Sequence, residues 1–238
     1  MGISGGPYIV RDSSLVLELD AADKNSYPGS GTTWNDLSGN NNSGSLVASP
    51  TFNSGNNGGI VLNGTTQYVS FGNISSLILS NNSFTISYWL VATGTARVDF
   101  FNIKNFNALQ DDIGLFINTS NKFCAYFQIQ NSTTGTGLST STATLLRGTI
   151  YNLICVKNSS QQIVQYINGV LDNNTNNSLL NTSTVASSPL LVGTNKLDAS
   201  TLSFSFAGTI YSAQIYNRAL SATEILQNYN EQKSRFGL

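Results

Sequence analysis

From Phe84 to Leu90 the chain alternates, with Phe84, Ile86, Tyr88 and Leu90 all falling on one face of an extended strand. Other short apolar runs recur along most of the sequence, each cut off by Gly, Asn and Ser clusters. That rhythm is the signature of a sandwich or barrel. Strands are expected at Ser14–Leu19, Gly59–Leu62, Tyr68–Phe71, Ser83–Ala92, Val98–Ile103 and Ile113–Asn118, and again at Lys122–Gln128, Gly148–Lys157, Ile163–Ile167, Pro189–Val192 and Ser203–Tyr216. Asn168-Gly169, after Ile163–Ile167, predicts a tight hairpin, because a type I′ turn needs positive φ at both central residues. Val170-Leu171 then begins the return strand.

One helix stands out, over 221–235. Ser221 can cap it and Glu224 can complete a capping box. Ile225, Leu226 and Tyr229 form its apolar stripe, so it should pack on the outside or edge of a sheet. No linker divides the chain. The expected domain is 13–238, preceded by an extended arm, 1–12, whose Tyr8-Ile9-Val10 could join a sheet edge or a neighbouring subunit.

Charge narrows the functions. Only 10% of the 238 residues are charged and the net charge is -1, well under the usual quarter charged. There is no basic stripe for nucleic acid and no apolar run of membrane-spanning length. The absence of histidine removes Ser-His-Asp and Cys-His catalysis. Glycosidases need two facing carboxylates. Glu224 and Glu231 belong to the helix, and Glu18 stands between two leucines with no Glu partner two or four residues away. Asp111-Asp112 are adjacent, and on a strand they would point to opposite faces. No catalytic residue is assigned. Cys124 and Cys155 sit in strand-like runs and read as buried free thiols.

Six segments carry a resemblance. They are Leu15–Asp23 with Ser26–Asn40, Leu62–Val69, Phe84–Trp89, Tyr166–Gly169, Phe206–Ile210 and Ile215–Ile225. In this order they resemble the concanavalin A-like lectin/glucanase superfamily in its laminin-G-like and pentraxin-like branch. The arm and the closing residues are similar to versions in structural proteins of tailed bacteriophages. The resemblance implies an all-β, two-sheet antiparallel jelly-roll sandwich with one short C-terminal helix. It implies a non-catalytic virion-surface structural or adhesion module, on head or tail. Such a module would contact other virion proteins through its arm, assemble as an oligomer and bind cell-surface glycans. A virion protein is made in the host cytoplasm, which fits an N-terminus without a signal-peptide pattern. The alternative is a secreted bacterial lectin domain located outside the cell. A glycoside hydrolase is the least favoured reading.

The resemblance also implies sites. Pentraxin-like members hold calcium on loop oxygens, which suits a hard cation. Here Asp111, Asp112, Asn195 and Asp198 match that pattern, although no Glu accompanies Asp198. A second, structural calcium would bridge Asp20 and Asp36, and loop bracing is the competing role for both. Phe106, Asn107 and Gln110 are the candidate sugar contacts, and Trp89 is expected on the face of the second sheet. Trp34 and Leu37 should pin a long loop whose turns use Asp36, Ser38, Gly39 and Asn40.

Overall fold

The alternation at 84–90 becomes β7 (Phe84–Ala92), a nine-residue strand with a different partner on each face. The computed structural model describes residues 9–74, 83–103, 112–128, 136–160, 162–176, 189–196 and 201–238. With strands numbered in chain order, the back sheet holds β1 (Leu15–Asp20), β4 (Thr51–Asn53), β5 (Gly59–Asn63), β7, β12 (Ile150–Lys157), β13 (Gln162–Ile167), β14 (Val170–Asn176) and β18 (Ala207–Tyr216). The front sheet holds β2 (Thr33–Trp34), β3 (Gly44–Val47), β6 (Tyr68–Ser70), β8 (Val98–Ile103), β9 (Asp112–Ile117), β10 (Phe123–Gln128), β11 (Thr136–Thr140) and β15 (Leu190–Val192). A short ribbon, β16 (Asn195–Lys196) with β17 (Leu202–Ser203), completes the set.

The back sheet runs β14-β13-β12-β7-β18-β5-β4, with β1 also on β18. Its longest strand, β18, serves both β5 and β1 on one side because a bulge at Tyr211 divides the two pairings. Bulges are a usual way to bend and split a ladder. The front sheet runs β11-β10-β9-β8-β15-β6-β3-β2. The inner faces close over one core, in which Tyr88 meets the Phe100 ring edge-on at 5.3 Å. The all-β sandwich with a C-terminal helix is therefore observed, and the turn at Asn168 (φ 52) and Gly169 (φ 74) has the expected positive φ. Trp34 is fully buried and pins its loop. Asn63 brackets the crossing from β5 to β6, accepting from the amides of Thr65, Thr66 and Gln67.

Several expectations are corrected. Strands β2, β3, β4, β11 and β16 were not foreseen, because each has five residues or fewer and too short a pattern to read. Ser203–Tyr216 is not one strand: Phe204 turns to φ 49, and pairing resumes at Ala207. Trp89 does sit on a sheet face, but not one open to a ligand. It lies on the back sheet's outer face, stacked on Phe236 (4.4 Å) and Tyr229 (5.5 Å). These two rings come from the end of α1 (Ala222–Lys233) and the 3-10 turn after it, Ser234–Phe236. Ile225 is buried as expected, but Leu226 is exposed and Asn228 is buried in its place. Asn228 is needed because the arm passes beneath the helix. Its Oδ1 accepts from the Val10 amide at 2.8 Å, and Tyr216 donates to the Val10 carbonyl at 2.9 Å. Residues 9–12 thus form a strap on the chain's own back sheet, while Met1–Tyr8 lie outside the described residues.

Arg218 locks strap, β1 and helix together. It donates to Glu224 Oε1 (2.7 Å), Asp12 Oδ2 (2.8 Å) and Ser14 Oγ (3.0 Å). Ser221 and Glu224 close the capping box. The hydrogen bond from Arg218 holds the Glu224 carboxyl down to about 2, from an ordinary 4.5. A depressed folded-state value means stability that is complete above pH 4.5 and lost as pH falls toward 2. Acid titration of the melting temperature should show this loss. Glu224→Ala should cost about 1 kcal/mol at neutral pH, discounted for partial exposure, and should flatten that part of the curve. An unchanged acid limb would contradict the assignment.

Cys124 and Cys155 are free and buried, and burial pushes both thiols up from the ordinary range. A thiol-disulfide reagent should therefore label neither in the native protein and both after denaturation. Rapid labelling of Cys155 in the native state would count against the core described here.

Candidate ligand-binding face

Register on the front sheet decides which side chains share its outer face. The core takes Phe101, Ile103, Ile113, Leu115, Phe123, Ala125 and their neighbours, so the alternate residues point away from it. Asn102, Gly114 and Tyr126 lie side by side across β8, β9 and β10. The next row along the strands is Asp99, Phe116 and Cys124.

Arg97 organises this second row. Its guanidinium lies 3.8 Å from the Phe116 ring centroid and 4.2 Å from that of Phe204. Nε donates to Asp99 Oδ1 at 2.7 Å and Nη2 to Asp99 Oδ2 at 2.9 Å. Arg97 and Asp99 are two residues apart, so strand geometry puts both on one side. Asn195, carried by β16, donates from Nδ2 to Asp99 Oδ2 at 3.1 Å. Asp99 is fully buried, whereas Phe204 is 43% exposed. The positive φ of Phe204 aims its ring back over Arg97 instead of continuing the strand. Buried acceptors complete the face: Asn102 Oδ1, Asn195 Oδ1 and Ser203 Oγ have no hydrogen-bond partner among the described residues. Such atoms normally find a partner.

The arrangement is charge-neutral, since Asp99 balances Arg97. It offers an exposed aromatic edge beside amide and hydroxyl oxygens. That chemistry fits a neutral, hydroxyl-rich ligand better than a phosphate or a metal ion. Among the described residues no group of three His, Cys, Asp or Glu could hold a metal ion.

Of the residues named from sequence, Asn195 is in this cluster. The backbone of Asp112 lies at the other end of β8, beside Ile103, while Asn195 meets Asp99. Four residues of strand separate these two backbone points, about 13 Å. Phe106, Asn107, Gln110, Asp111 and Asp198 lie outside the described residues. Asp20 Oδ1 accepts from Arg235 Nη1 (2.7 Å) and the Ala22 amide (2.9 Å). Asp36 accepts four bonds, from the Glu18, Ser38 and Asn42 amides and the Ser38 hydroxyl. It braces the loop after Trp34 against β1. Arg97, Phe116 and Phe204 were missed, because both phenylalanines read as core positions of strands. The Arg97-Val98-Asp99 spacing was the available signal.

Comparison with known proteins places the architecture. The sandwich superposes on the binding domain of Paraclostridial Mosquitocidal Protein 1 with a TM-score of 0.67 and 16% identity, over 91% of this chain and 52% of that one. It superposes on a botulinum neurotoxin type C structure, whose cell entry is described as dependent on two ganglioside molecules, with a TM-score of 0.68 and 16% identity, over 92% and 51%. It also matches Domain 4 of AbnA, a GH43 extracellular arabinanase from Geobacillus stearothermophilus in complex with arabinotriose, with a TM-score of 0.66 and 18% identity, over 91% and 98%. The chain spans about half the length of the two toxin chains. At such identities the likeness is one of fold. No curated protein matches the chain in sequence. A family description does match, over residues 63–226. With that match covering most of the sandwich, the chain belongs to the concanavalin A-like lectin/glucanases superfamily.

Proposed function

We propose that the chain is a non-catalytic carbohydrate-binding module, displayed on a larger assembly, of which a virion surface is the form the sequence resemblance favours. The observation that carries the reading is the neutral Arg97–Asp99 pair, walled by Phe116 and Phe204, beside buried amide oxygens without partners. A sugar supplies what this face lacks. Its hydroxyls donate to the Asn102 and Asn195 carbonyl oxygens, and its C–H face covers the exposed Phe204 ring. Binding sites of this sort use few polar groups to orient a ligand against apolar surface. Two of the structural neighbours support the reading by their own ligands, a ganglioside pair in one and arabinotriose in the other.

Catalysis is disfavoured by the same residues that hold the fold. Glu18 is paired with Arg11, and Glu224 with Arg218 in the helix cap. The Asp99 carboxylate is spent on Arg97 and Asn195.

A glycan array, followed by titration calorimetry on the best ligand, tests the proposal. Phe204→Ala should weaken binding about tenfold, the scale of one lost aromatic contact, with only a small fall in melting temperature from the lost contact on Arg97. Running the array with calcium and with a chelator tests the calcium expectation in parallel, and binding through Phe204 should persist in both. Absence of binding to any glycan, or full affinity in Phe204→Ala, would contradict the proposal.

A further inference from the structure

The back sheet carries a second, independent feature. A cavity of about 230 Å3 opens between strap, β1, β18 and helix end, lined among others by Arg11, Glu18, Asp20, Gln214, Glu231 and Arg235. It is lined by three carboxylates against two guanidinium groups, so its wall carries one uncompensated negative charge. The two cations are already committed. Arg11 is bidentate on Glu18, with Nε 3.0 Å from Oε2. Arg235 donates to Asp20 Oδ1 (2.7 Å) and, through Nε, to the Asn56 carbonyl (2.6 Å). The wall therefore has acceptors to spare. Gln214 makes this concrete: it is 2% exposed, and its Oε1 has no hydrogen-bond partner among the described residues. A buried carbonyl oxygen left unpaired is unfavourable, so a donor arriving there is favoured.

We propose that this cavity binds a small organic ammonium compound of about monosaccharide size. The ligand's charge answers Glu231, the carboxylate without a matching guanidinium in the wall, and a donor on the ligand satisfies Gln214 Oε1. Size limits the class. The volume lies below the roughly 300–1,000 Å3 of drug-sized ligand pockets, so the part of a ligand held inside is of about monosaccharide size. The partly exposed Arg11 side chain stands at the rim, where it repels a second cation. The site lies on the opposite sheet from Phe204 and does not depend on glycan binding there.

The probes are glucosamine, with glucose and N-acetylglucosamine as neutral analogues of similar shape. Titration at about pH 6, where an alkylamine of ordinary basicity is protonated, is followed by the Gln214 side-chain amide signals in NMR. Glucosamine should shift them saturably and the neutral sugars should not. Glu231→Gln should weaken glucosamine at least tenfold, with the melting temperature and the Phe204-dependent glycan binding unchanged. Raising the pH until the amine is neutral should weaken it likewise. Equal shifts from glucose, no shift from glucosamine, or full affinity in Glu231→Gln would each overturn the proposal. Loss of glycan binding in Phe204→Ala bears on the other face alone.

Discussion

Strand β7 has to satisfy two apolar interfaces at once, and the rest of the molecule is arranged around that demand. Its even-numbered residues, Phe84, Ile86, Tyr88 and Leu90, enter the core between the sheets. Of its outward-facing residues, Thr85, Ser87 and Trp89 are buried as well, and Trp89 lies beneath Tyr229 and Phe236. Thr85 links the two sides: its hydroxyl donates to the Arg218 carbonyl and accepts from the Leu220 amide. A sheet with one wet face would need no such cover. Here a tryptophan on the outer face makes the helix obligatory, since leaving so large a ring in water forfeits about 2–3 kcal/mol and each stacked pair adds about 1 kcal/mol.

The low charge content has a structural counterpart. Neutral amides and hydroxyls close the open edge of the sandwich. Ser139 on β11 donates to Gln165 Oε1 on β13 at 2.8 Å, and Gln165 Nε2 donates to the Phe123 carbonyl at 3.2 Å. These bonds cross from the front sheet to the back sheet where no strand pairing can. Charged side chains cluster most clearly at the Arg218 junction, the Arg97–Asp99 pair and the helix-side cavity. The first is structural, and the other two border surfaces that a ligand can reach.

How legible this was from the residues follows from periodicity. β7, the Asn168-Gly169 turn and the Ser221–Glu224 cap could be read because each rests on local pattern or local hydrogen bonding. Leu226 was misread, since a stripe assignment cannot know that the strap runs under the helix and asks for Asn228. The candidate face was less legible still. Phe116 and Phe204 look like core residues in sequence, and only register together with the left-handed backbone at Phe204 brings them around Arg97. Asn195 was named from the resemblance, but its partner is Asp99, which only the Arg97-Val98-Asp99 spacing marks out in the residues.

Hydrogen exchange on the Trp89→Leu variant tests the central claim most directly. If one buried tryptophan couples helix and strap to the sandwich, residues 9–12 and 222–236 should lose protection together, by the same factor. Amides of β8, β9 and β10 should keep theirs. Unchanged protection across 222–236, or an equal loss throughout both sheets, would contradict the account.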